Sequence, residues 1–195
     1  MKRFFLIFMI AVLMTSYLSA VGESEAEWVG DIFHPNEYTY VYDVSRFGKP
    51  RYQLFVVDGH GSYVYDDYTE NCEPDSVLIA PEIIRISLPC GTVACDLFID
   101  VGTHRVTEEI YHVIYAEDNI CIYIDYEDNV SYVVIREIFG EILLKAEIDL
   151  ATVSGFVDEV KKIGPNTYEI AFVNSLFENE RVKISFIQDT GFDVQ

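Results

Sequence analysis

Apolar and polar residues alternate with period two along much of the stretch from about Val106 to Ile148. That period predicts four β-strands joined by tight turns into an antiparallel meander. A two-residue turn at Asp118-Asn119 sets Val113 opposite Ile124 and Tyr115 opposite Ile122, with His112 facing Asp125 on the other side. A second turn at Asp128-Asn129 sets Ile124 opposite Val133 and Ile122 opposite Ile135, and a third at Phe139-Gly140 brings Ile135 near Leu144 and Val133 near Ala146. All three hairpins place apolar side chains on one face. A slip of one residue would invert a whole strand, so the agreement is a strong signal of register.

The same pattern recurs on both sides of this meander. Tyr38 to Val44 alternates, with Tyr38, Tyr40, Tyr42 and Val44 on one face, until Gly48-Lys49-Pro50 breaks it. Arg51 to Asp58 resumes, with Leu54 and Val56 sharing a side. Asp58-Gly59-His60-Gly61 is a turn, and Ser62 to Asp66 pairs back. Gly30-Asp31 and His34-Pro35-Asn36 read as turns, and Asp67 to Ser76 as a polar loop. Residues 83–90 and 95–101 predict a hairpin around Gly91-Thr92-Val93-Ala94, pairing Leu88 with Leu97, Ile86 with Ile99, Ile84 with Val101 and Arg85 with Asp100. Near the C-terminus, Phe156 to Ile163 and Thr167 to Val173 flank Gly164-Pro165-Asn166, and Arg181 to Ile187 forms a last strand. The expected fold is all-β: antiparallel meanders of about twelve strands, propeller-like or a sandwich, stapled by disulfides.

Residues 1–20 break the pattern. Lys2 and Arg3 precede an apolar run from Phe4 to Leu18, and Ser19-Ala20 or Ala20-Val21-Gly22 is a small-residue cleavage site, which together predict a signal peptide. The run is shorter than the ~20 apolar residues that a spanning helix needs, so no membrane insertion is expected after cleavage. The expected location is periplasmic or secreted, with residues 21–195 as a single all-β domain. Loss of Lys2 and Arg3 leaves 11 basic residues against 33 acidic ones and moves the formal charge from −20 to −22. That field excludes nucleic acid as a partner and favours a basic protein.

An even cysteine count in an exported chain predicts two disulfides. The hairpin register puts Cys90 opposite Cys95, which leaves Cys72 to pair with Cys121. C-x2-C spacing is absent, so a zinc site is not expected.

Chemistry-bearing motifs are scarce. The acidic turn Asp125 to Asn129 lacks the spacing of a calcium hand, and no cofactor or metal is expected. His34, His60, His104 and His112 are scattered. His112 opposite Asp125 is the one pair suited to an oriented base, yet no G-x-S-x-G or S-x-x-K accompanies it. Asn129-Val130-Ser131 is a glycosylation triplet in a turn. The expected protein is therefore not an enzyme.

Tyrosine is the best residue-level clue. Fourteen are present, and Tyr63, Tyr65 and Tyr68 cluster with Asp66 and Asp67. Rings supply contact area and carboxylates meet Lys or Arg, a composition suited to a protein-binding face. The loop from Asp66 to Asp75 and the turns Glu117-Asp118-Asn119 and Glu127-Asp128-Asn129 are the expected contacts. In size, export signal, acidity, paired cysteines and all-β build, the chain resembles periplasmic immunity proteins that inhibit antibacterial effector enzymes. The resemblance is one of profile, and no residue is carried over from it. The expected function is an exported acidic protein-binding module, an inhibitor of a basic partner or toxin enzyme. A glycan-binding or envelope structural module and a small carboxylate-dependent hydrolase are the alternatives.

Overall fold

The computed structural model describes residues 32–45, 48–90, 93–150 and 157–186. Among the described residues the alternating segments form sixteen strands, and each of four antiparallel sheets is built from strands consecutive in sequence. Sheet I contains β1 (Ile32–Asn36), β2 (Thr39–Asp43), β3 (Arg51–Val57) and β4 (Tyr63–Glu70). Sheet II contains β5 (Asp75–Ala80), β6 (Ile83–Cys90), β7 (Val93–Asp100) and the short β8 (Arg105–Val106) and β9 (Ile110–Tyr111), both paired with β7. Sheet III holds β10 (Val113–Glu117), β11 (Ile120–Glu127), β12 (Val130–Glu137) and β13 (Ile142–Ile148). Sheet IV holds β14 (Val157–Gly164), β15 (Thr167–Val173) and β16 (Asn179–Ser185).

The four strands beyond the expected twelve are β1, β5, β8 and β9. His34-Pro35-Asn36 belongs to β1 rather than to a turn. Proline lacks the N–H of a ladder bond, and β1 lies at the edge of sheet I, where that donor is dispensable. Likewise β4 runs to Glu70, so Asp66, Asp67 and Tyr68 lie in a strand and not in a loop.

Sheets stack in chain order. Val41, Leu54 and Val56 of sheet I pack on Ile84, Ile86 and Leu97 of sheet II. Phe98 and Ile110 of sheet II pack on Cys121 and Ile138 of sheet III. Ile122, Ile124, Val133 and Ile135 pack on Tyr168, Ile170 and Phe172 of sheet IV. Burial of each such side chain contributes about 1.5–3 kcal/mol, so the three interfaces carry the fold. The first strands of successive sheets also touch: β1 with β5, β5 with β10, and β10 with β14. Polar contacts bind each junction. Asn36 Nδ2 donates to Ser76 Oγ (2.9 Å), the Asp118 N–H to the Ile79 carbonyl (3.2 Å), and Lys162 Nζ to Glu117 (2.9 Å).

The predicted meander is sheet III, with one correction. Ile124↔Val133, Ile122↔Ile135, Ile135↔Leu144, Val133↔Ala146 and Tyr115↔Ile122 pair as expected. Asp118, Asp128 and Asn129 take positive φ, which their turns require. A bulge between Val113 and Tyr115, however, sets Val113 opposite Tyr123 instead of Ile124. His112 therefore does not face Asp125. Its backbone turns away at φ 56°, and its ring packs edge-on against Tyr126. The opposite face of sheet III is covered in part: Cys121 and Val134 are buried on it, whereas Glu127, Lys145 and Glu147 are exposed.

The 83–101 hairpin keeps its faces but shifts by two residues: Leu88 pairs with Cys95, Ile86 with Leu97, Ile84 with Ile99, and Cys90 with Val93. An even shift conserves the pleat, so the buried set survives. Arg85 is displaced from Asp100 and instead binds Asp96. The side chain of Cys90 lies outside the described residues, and the expected Cys90–Cys95 bridge with it. The signal segment 1–20 and the Gly30-Asp31 turn also lie outside the described residues.

The Cys72–Cys121 bridge is overturned, since both thiols are free. Cys72 sits exposed beyond the end of sheet I, whereas Cys121 is sealed between sheets II and III. Burial pushes the Cys121 thiol up to about 12, with Arg136 and Arg85 opposing the shift. In the folded protein, Cys72 is expected to react with a thiol reagent within minutes and Cys121 only after denaturation. Peptide mapping of the label checks this. Failure of both to react in denaturant without reductant would restore the bridge.

Candidate functional site

Alternation along sheet I sorts its side chains onto two faces. Thr39, Val41, Leu54 and Val56 point to the core shared with sheet II, which leaves Tyr40, Tyr42, Phe55 and Tyr63 on the outer face. There the rings meet in a row. Tyr42 packs edge-on against Phe55 at 5.5 Å between centroids, Phe55 meets Tyr63 at 5.5 Å, and His34 abuts Tyr40 at 4.4 Å. Tyr63 is 71% exposed and Tyr68 46%. The Arg51 guanidinium lies 4.5 Å from the Tyr68 ring centroid, and Gln53 Nε2 donates to Asp66 (3.4 Å).

The strand that carries Tyr63, Tyr65, Asp66, Asp67 and Tyr68, β4, is an edge strand of this sheet. Tyr63, Asp66 and Tyr68 stand on the outer face, with Asp66, Asp67 and Glu70 exposed to solvent. The predicted cluster nevertheless divides. Tyr65 turns to the core side, where its hydroxyl donates to Asp67 (2.8 Å), and burial followed by that carboxylate raises its pKa. Asp67 thus serves Tyr65 as well as the surface.

The predicted turns are occupied by contacts within the chain. Lys162 binds Glu117 (2.9 Å) and Asp118 (3.5 Å), and this lysine first, then the Tyr115 hydroxyl, lowers the Glu117 pKa. The Asn119 carbonyl accepts the Ile138 N–H (2.8 Å). Lys145 binds Asp125 (2.9 Å) and Glu127 (2.5 Å) and lies over the Tyr132 ring. Asp128 occupies the exposed tip of the β11–β12 turn. Asp125 and Glu127 are therefore held together by an ammonium group, and no metal-holding cluster of His, Cys, Asp or Glu occurs among the described residues.

A cleft of about 690 Å³ opens elsewhere, between the β8–β9 segment and sheet III. Arg105, Arg136, His112, Tyr123, Tyr126 and Phe139 are among its lining residues. Arg105 donates to the Phe139 carbonyl (2.5 Å) with its guanidinium over that ring, and Arg136 donates to the carbonyls of Glu137 (3.2 Å) and Gly140 (3.1 Å).

Two sets of residues escaped the reading of the sequence. Phe55, the centre of the aromatic row, alternates with Leu54 and Val56, and its cross-strand position between Tyr40 and Asp66 could have revealed it. The cleft left no comparable signal, because Arg105 and Arg136 meet only through the packing of sheet II on sheet III. Compared with protein-family models, curated proteins and solved structures, the chain matches none.

Proposed function

We propose that this is an exported, acidic protein-binding module that captures a basic partner on the outer face of sheet I. The observation that carries this reading is the row Tyr42–Phe55–Tyr63, bordered on β4 by Asp66 and Glu70, with Asp67 exposed on the other side of the same strand. Rigid rings supply contact area at low entropic cost, and exposed carboxylates select and steer a cationic surface. An edge strand also offers main-chain groups to which a partner strand can pair. Periplasmic or secreted location, a Cys90–Cys95 staple and a propeller-like arrangement of the four sheets belong to the same proposal. The last draws support from the successive contacts of β1, β5, β10 and β14. Inhibition of a basic toxin or hydrolase is the role that the acidity favours.

The test is capture of basic exported proteins by the wild-type chain and by an Asp66→Asn/Asp67→Asn/Glu70→Gln variant. Single rim charges are worth little and three together steer association. The expected result is a stoichiometric partner that dissociates about tenfold faster or associates about tenfold slower with the variant, and that is released by high salt. Salt-insensitive binding of a neutral glycan, weakened by Tyr63→Ala but not by the charge variant, would replace this reading with the glycan-binding one.

A further inference from the structure

The cleft exposes an unfinished sheet edge. The bulged β10 accompanies β11 only as far as Tyr123, and the Ile124 N–H then donates to the His112 carbonyl (3.1 Å). On its other side β11 remains paired with β12 as far as Glu127. Backbone groups of successive strand residues point to alternate sides, so the N–H and C=O of Tyr126 face the same side as those of Ile124. No backbone partner meets them there among the described residues.

Charge distinguishes the same place. In a chain with 13 basic and 33 acidic residues, Arg105 and Arg136 both line this cleft. Neither forms an ion pair with a carboxylate among the described residues. Three acids line it as well: Glu109 accepts the Tyr111 hydroxyl (3.0 Å), Asp125 accepts Lys145 (2.9 Å), and Glu108 is exposed to solvent on the β8–β9 segment. A guanidinium bound only to carbonyls retains donors and a full charge, which suits a carboxylate.

We propose that this cleft binds an extended peptide that ends in a carboxylate. The peptide adds as a strand to the open edge of β11, exchanging hydrogen bonds with the Tyr126 backbone, and its carboxylate is anchored by Arg105 and Arg136. The site is separate from the outer face of sheet I and does not depend on the function proposed for that face.

The experiment uses the full chain, isotopically labelled, and three probes: a six-residue valine–threonine peptide with a free C-terminal carboxylate, the same peptide amidated, and glucuronate. The first probe is expected to saturate, to slow hydrogen exchange of the Tyr126 amide, and to bind about tenfold more tightly than the amide form. Arg105→Gln is expected to remove that preference. Because both arginines also hold turn carbonyls, the amidated peptide supplies a control that needs no folded variant. Equal binding of the two peptides would overturn the anchoring role. Saturation by glucuronate with an unchanged Tyr126 amide would make the cleft a saccharide site, and no saturation by the carboxylate peptide at millimolar concentration would remove the site altogether.

Discussion

Asp96→Ala is expected to destabilise the protein by about 3–5 kcal/mol, the cost of leaving a largely buried cation without its partner. Asp96 is 2% exposed and accepts Arg85 Nε (2.7 Å) and a terminal guanidinium nitrogen of the same arginine (3.0 Å), while the Ser87 hydroxyl also binds it. Arg85 reaches on to the Val113 carbonyl (3.4 Å), so the pair joins sheet II to the start of sheet III. Removal of the carboxylate strands the guanidinium and the Ser87 hydroxyl together. Replacing both partners with apolar residues is expected to cost much less, because neither charge is then left behind. Urea unfolding of the single and double variants checks both statements. A loss below about 1 kcal/mol for Asp96→Ala would mean that Arg85, one quarter of whose side chain is exposed, escapes to water.

Phe98→Ala is the second large effect, expected at about 3–5 kcal/mol. The ring is fully buried against Ile110, Cys121 and Ile138, where sheet II meets sheet III. Its backbone is meanwhile locked to Thr107 by two 3.0 Å hydrogen bonds, one from each residue's N–H. A cavity left there could not close by moving the strand, since those bonds hold it, so the cost should lie near the upper end of the range. Faster thiol labelling of Cys121 in the variant is the independent readout, because the ring lies in the cluster that covers that sulfur. Unchanged labelling together with a loss under about 1 kcal/mol would show that the interface repacks.

Much of this architecture could be read from alternation alone. Sheet III was recoverable because three successive turns, each with Asp, Asn or Gly, constrained one register and each agreed with the others. The bulge at Ile114 was not recoverable: inserting a residue leaves composition and alternation on either side intact, yet it moves His112 away from Asp125. The Cys72–Cys121 pairing failed for a similar reason. Counting cysteines says nothing about where each lies, and here Cys72 is exposed past the end of β4 while Cys121 is buried between sheets II and III. β8 and β9, two residues each, are too short to show any period, although they build one wall of the cleft. Tyr63, Asp66 and Tyr68 shared a face as their spacing and the bulge before Tyr65 dictate, while Tyr65 needed the position of the core to be placed.

The stacking of sheets in chain order has a consequence for biogenesis. Every strand pair lies within one sheet, and each sheet among the described residues is a contiguous segment. No strand has to wait for a partner made much later, so loop-closure entropy stays small at each step. A chain delivered N-terminus first can complete one sheet, expose its apolar face briefly, and have that face covered by the next sheet to emerge. Each newcomer acts as the lid on its predecessor, and the interval between them is when the growing protein is most exposed to aggregation.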